Sequence, residues 1–153
     1  MGVDFTLLTL AALSLAPTVE TRYTIPLAIG VGYAPALVFI WATVMTALLS
    51  VMLAHGLWLF DRLVRKTPVL SEIWEKYIDR ARKRAEPYIE KYGAPGLIFF
   101  VAVPLPGTGV WTGSLVGYVL GMNAKHMMMY TFIGGLIANV ITFLASVGVI
   151  SLI

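Results

Sequence analysis

Stretches free of Asp, Glu, Lys and Arg dominate this chain, and their lengths predict its elements. Four stand out: Phe5–Val19 (15 residues), Tyr23–Phe60 (38), Tyr92–Ala124 (33) and His126–Ile153 (28). A helix needs roughly 20 apolar residues to cross a hydrocarbon core. The last run supplies one such helix. Pro35 to Phe60 supplies another, with Pro35 suited to its first position, where a missing N–H leaves nothing unpaired. The remaining stretches are too short to cross. Val3 to Ala16 reaches only about 21 Å before Pro17, and Ala94 to Val103 is shorter still before Pro104. Segments of this size read as re-entrant or interfacial.

Each short helix runs into a broken patch, then a second apolar stretch, then a full span. The first patch is Pro17 to Pro26 and the second is Pro104 to Gly109. A proline disfavours helical geometry at the residue before it, so Pro17, Pro26, Pro104 and Pro106 mark two hairpin tips. The expected fold is an all-α integral membrane domain over 1–153. It has a first hairpin plus span (1–60), a cytoplasmic amphipathic segment (61–92), and a second hairpin plus span (93–153). The halves share a pattern rather than residue identities. Two such halves in opposite orientation form an inverted repeat with broken helices meeting near the midplane, a recurring transporter plan.

Charge placement sets the expected orientation. Of 19 Asp, Glu, Lys and Arg residues, 15 fall between Asp61 and Lys91, nine basic and six acidic. The rest of the chain sums to zero, so the net +3 belongs to this block. Lys/Arg-rich segments stay cytoplasmic, which puts both termini outside and the chain, as a multi-pass protein, in the plasma membrane. Within the block, apolar positions from Val69 to Tyr92 follow i, i+3, i+4 spacing. They predict a helix from Thr67-Pro68 lying along the interface, with Pro87 kinking or splitting it. Met1 is followed by no basic stretch, so the first segment does not read as a secretory signal.

Composition narrows the chemistry. The chain is 59% apolar and 12% charged, with a mean hydropathy of +0.85, far from the soluble average of about 45–50% apolar and about 25% charged. There is no Cys, which excludes disulfides and thiolate chemistry. His55 and His126 are isolated and make a poor metal site. No nucleophile–base arrangement stands on a credible scaffold. The expectations are no cofactor, no metal, no nucleic-acid partner and no enzymatic activity.

The remaining candidates lie at the two tips. Glu20 and Arg22 are the only close opposite charges outside the polar block, and charge at membrane depth is costly enough to need a reason. Two residues apart, they point to the same side of an extended chain. An unwound tip would therefore aim both into one cavity. In the second tip, Gly107, Thr108 and Gly109 precede a helix starting near Val110 or Trp111, whose free N–H groups make a weak anion site. Gly113, Gly117 and Gly121, echoed by Gly134, are spaced for close helix packing. Asn139 reads as an interhelical hydrogen bond, and Met127-Met128-Met129 as filling.

The two tips resemble a known family. Pro17-Thr18-Val19-Glu20-Thr21-Arg22-Tyr23-Thr24-Ile25-Pro26 resembles the P-x-x-E-x-R-x-x-I-P tip of the prokaryotic small multidrug export family. Pro104 to Gly113 resembles its second signature, P-x-P-G-T-G-x-W-x-G. That family is itself similar to the DedA superfamily, with two facing re-entrant loops. The resemblance implies export or lipid translocation. The combined expectation is a small transporter or flippase for an amphipathic, anionic substrate, a lipid phosphate or a small drug-like molecule. Glu20, Arg22, Gly107, Thr108, Gly109 and Trp111 would bind it, with Glu20 carrying a proton. Membrane lipids and a second copy in a homodimer are the expected partners. The alternative is a non-transporting scaffold that remodels the bilayer.

Overall fold

The computed structural model describes residues 6–17, 19–105 and 107–150. These residues form seven helices and no strand: α1 (Leu7–Leu15), α2 (Glu20–Gly30), α3 (Pro35–Val64), α4 (Pro68–Tyr92), α5 (Gly96–Ala102), α6 (Val110–Val119) and α7 (Ala124–Ile150). The order short, short, long occurs twice, on either side of α4. Only α3 and α7 are long and apolar enough to cross a membrane. The four short helices have 9, 11, 7 and 10 residues, hence lengths of about 10–17 Å. None reaches across a core of about 30 Å alone.

Local chemistry explains the boundaries. The Thr6 hydroxyl accepts the Thr9 N–H at 3.3 Å and starts α1. Pro35 opens α3 as its position predicts, and that helix continues through Asp61 and Arg62 into the polar block. Asn123 Oδ1 accepts the His126 N–H at 2.9 Å and opens α7, a standard side-chain cap. Gly121, with φ of 69°, lets the chain leave α6 in the left-handed region.

Two prolines do not break their helices as expected. Pro26 sits inside α2 and Pro87 inside α4, and both are exposed. The first tip is therefore not an open patch from Pro17 to Pro26: helix resumes at Glu20. Packing overrides the local bias, because Ile25, the residue disfavoured by Pro26, is fully buried at 0% exposure. Each proline forfeits one helical hydrogen bond on an outward face, which leaves the continuing turns intact.

The long helices pack against each other, and each gathers short ones. Helices α2, α5 and α6 lie against α7, while α1, α2 and α6 lie against α3. Helix α4 rests on α5 and α6, seating Ala81 and Ala85 in a core with Leu53, Leu97, Phe100 and Leu115. A second core joins Leu10, Ile25, Ala28, Val38 and Ala42. The outer faces stay apolar: Ile40 and Val44 on α3, and Ile141 and Leu144 on α7, are exposed. Such faces suit lipid.

Two sets of interior polar contacts tie helices together. Asn139, at 0% exposure, accepts from the Thr21 hydroxyl at 2.6 Å and donates to Thr46 Oγ1 at 2.8 Å. It links α2, α3 and α7, as the sequence predicts for an interhelical bond. Asp61 accepts from Trp74 Nε1 at 3.0 Å and from Arg65 Nε at 2.9 Å. These bonds fasten the elbow between α3 and α4.

Candidate functional site

The inner ends of all four short helices converge. These are the C-termini of α1 and α5 and the N-termini of α2 and α6. Every helix end leaves backbone groups without intrahelical partners, and burial makes each orphan costly. Here side chains from the opposite half satisfy three of the four ends.

Glu20 serves the N-terminus of α6. Its carboxylate accepts the Val110 N–H at 3.2 Å and the Trp111 N–H at 3.1 Å. Arg22 serves the C-terminus of α5 and the loop beyond it. Its Nη2 donates to the Val101 carbonyl, and its Nη1 donates to the Val103 carbonyl at 2.9 Å. Nη1 also reaches the Thr108 carbonyl and hydroxyl at 3.1 and 3.0 Å. Trp111 Nε1 donates to the Leu15 carbonyl at 3.1 Å, closing the end of α1. The signs match the helix dipoles: the anion meets a positive N-terminus and the cation a negative C-terminus.

This geometry revises the expected tip. Glu20 opens α2 with a left-handed φ of 53°, and Arg22 follows in its first turn. They diverge toward α6 and α5, and form no ion pair within 4.0 Å among the described residues. The N–H groups expected to be free for an anion are taken by Glu20. Its burial, at 6% exposure, disfavours the charged form, while two amide donors and the α6 dipole favour it.

Glycines make this approach possible. A Cβ on Gly109 would stand 2.7 Å from both Glu20 carboxylate oxygens, so only a residue without one admits the carboxylate. Gly109 also has φ of 147°. Pro17 and Pro104 lie in the non-helical segments as expected, whereas Pro106 lies outside the described residues. Gly113, Gly117 and Gly134 are packing sites. A Cβ on Gly117 would lie 2.8 Å from Met127, and one on Gly134 would lie 2.7 Å from the Ile98 carbonyl. Gly121 is not one of them: nothing lies within 4 Å, and its role is the left-handed turn.

A cavity of about 190 Å³ opens beside the interlock. Glu20, Arg22, Gly107, Thr108 and Trp111 line it, whereas Gly109 does not and instead lies under the Glu20 carboxylate. Its third wall is α4, through Tyr77, Arg80, Ala81 and Arg84. The sequence offered a weak signal for these residues, since Arg80 and Arg84 are one turn apart beside the apolar stripe. Thr21, Thr46 and Leu15 carried none. Among the described residues no three His, Asp or Glu side chains converge as a metal site. His55 and His126 are both exposed.

Comparison with curated proteins and with solved structures returned no match. A family model does match, over residues 20–141, beginning at Glu20 within the first tip and covering α2 to α6, the second tip and most of α7. With two helices able to cross a bilayer and this match over most of its length, the chain is a membrane protein and belongs to the Putative small multi-drug export protein family.

Proposed function

We propose that this protein is a membrane exporter or flippase whose two tips act as an electrostatic latch. The observation that carries the reading is the crossed capping: Glu20 on α6, Arg22 on α5 and Trp111 on α1. Each half completes the helix ends of the other, so separating the tips exposes complementary charge beside the cavity. An anionic amphiphile, either a lipid phosphate or a small drug-like molecule, takes up the released donors. The two halves then rock about the site in the manner of inverted-repeat transporters.

Glu20 is the proton carrier in this scheme. Protonation weakens its hold on the α6 amides, because an ionised acceptor forms the stronger hydrogen bonds. The groups around it are Arg22 and Tyr23 on its own helix, the Val110 and Trp111 amides, and Tyr77, Arg80 and Arg84 from α4. The paired contacts of α2 with α7 and α6 with α3 support a two-fold relation between halves. The short lengths of α1, α2, α5 and α6 support re-entrant hairpins. We assign α4 to the cytoplasmic face of the plasma membrane and both termini outside, and read the working unit as a homodimer. One chain has too few spans to enclose a path.

The test is transport by the full chain in reconstituted vesicles, using a fluorescent short-chain phosphatidic acid and the anionic dye carboxyfluorescein as probes. Glu20→Gln is expected to uncouple probe movement from lumenal pH, and Arg22→Ala to reduce movement at least tenfold. Wild-type rates in both variants, with unchanged helicity, would exclude a route through this latch and favour a bilayer scaffold.

A further inference from the structure

The tip charges are already engaged within the protein. The α6 amides hold Glu20, and both terminal nitrogens of Arg22 hold carbonyls of α5 and its loop. An anion entering the closed cavity would find neither available. The cavity has two further cations, Arg80 and Arg84, both on α4 and both exposed. Neither forms an ion pair among the described residues. Among the described residues Arg84 reaches the Gly107 carbonyl, at 3.4 Å, a marginal bond that an ionised acceptor would readily replace.

Their spacing suits a shared ligand. Residues four apart on a helix stand one above the other on one face, and Ala81, between them in sequence, is buried against the core. That burial fixes the rotation of α4 and turns the two guanidinium groups toward the cavity mouth. A guanidinium presents a planar fork matched to phosphate oxygens. Among the described residues the one carboxylate lining the cavity is Glu20, and it is satisfied by the α6 amides.

We propose that Arg80 and Arg84 form the entry site for the anion, and that α4 rather than the tip pair selects an oxyanion headgroup. This site deepens the export reading and rests on it for the identity of the cargo. The shared chemistry is a phosphate group, borne either by a lipid or by a soluble molecule. Binding there precedes any release of Glu20. Affinity for the closed state thus depends on α4, and movement across the bilayer depends on the tips.

The experiment is a thermal-shift titration of the full chain in neutral detergent. The ligands are dihexanoyl phosphatidic acid, its phosphatidylcholine counterpart and inorganic phosphate. The wild type is expected to bind the phosphatidic acid, with affinity falling about tenfold for each of Arg80→Ala and Arg84→Ala, as befits loss of one charged hydrogen-bonding partner. Lysine at either position is expected to restore part of it. Both arginines are exposed, so the unliganded melting temperature serves as the folding control. Competition by inorganic phosphate identifies a soluble phosphate as cargo, and its failure to compete identifies the lipid. Unchanged affinity in the double alanine variant, or no binding to the wild type, overturns the proposal. Tight binding through these arginines with no vesicle transport would instead sink the export reading and leave this site standing.

Discussion

Glu20 is the only non-glycine residue in the left-handed region among the described residues, at φ of 53°. That conformation costs about 1–2 kcal/mol for an ordinary side chain, and two amide bonds from the other half hold it there. The sequence exposes Glu20 and Arg22 because charge in an apolar context stands out. It hides Thr21, which faces the opposite way. In extended chain the two charges would share a side; at the left-handed start of α2 they diverge, and Thr21 meets Asn139 and Thr46. Replacing Asn139 by Leu leaves both hydroxyls without their amide partner. The expected loss is about 1–2 kcal/mol, near the upper range for hydrogen bonds between membrane helices, measured by unfolding in mixed detergent. A variant as stable as the wild type would show that the triad does not hold α2 to α3 and α7.

Among the elements, glycine spacing foretold packing only where a neighbour approaches. Gly134 faces the Ile98 carbonyl and Val101 across the contact between α5 and α7. An added methyl group must displace backbone there. Gly134→Ala is expected to destabilise by about 1–3 kcal/mol. Gly56, in the middle of α3, has nothing within 4 Å, so Gly56→Ala is neutral or stabilising by up to about 1 kcal/mol. Equal effects in the same unfolding assay would refute this contrast. Gly121 shares the four-residue spacing of Gly113 and Gly117 yet serves a turn, because it falls two positions beyond the end of α6, after the Leu120 cap. Proline punctuation likewise did not interrupt α2 at Pro26, nor split α4 at Pro87. A local bias against helix is small beside the burial of Ile25 on one helix and of Ala81 and Ala85 on the other.

For the whole molecule, α4 separates two halves of matching order and roofs the cavity between them. Its basic surplus predicts a cytoplasmic position. The absence of native Cys permits a clean test: Lys83, exposed on α4, replaced by Cys, should react with impermeant maleimide only after cells are opened. Labelling of intact cells would reverse the orientation. Hydrophobic run length determined the two spans, because the bilayer demands about 20 apolar residues and tolerates little charge; prolines bounded the short segments, and clustered charge with helical spacing marked the amphipathic link. Charge scarcity singled out Glu20 and Arg22 at the first tip, and the proline and glycine cluster from Pro104 to Gly109 marked the second. Only the tertiary structure decided that Glu20 and Arg22 cap opposite helix ends instead of pairing, and that Arg80 and Arg84 complete the cavity. Glu20 and Arg22 lie 79 to 91 residues from the groups they cap, and the direction a helical side chain points is set by what the helix buries.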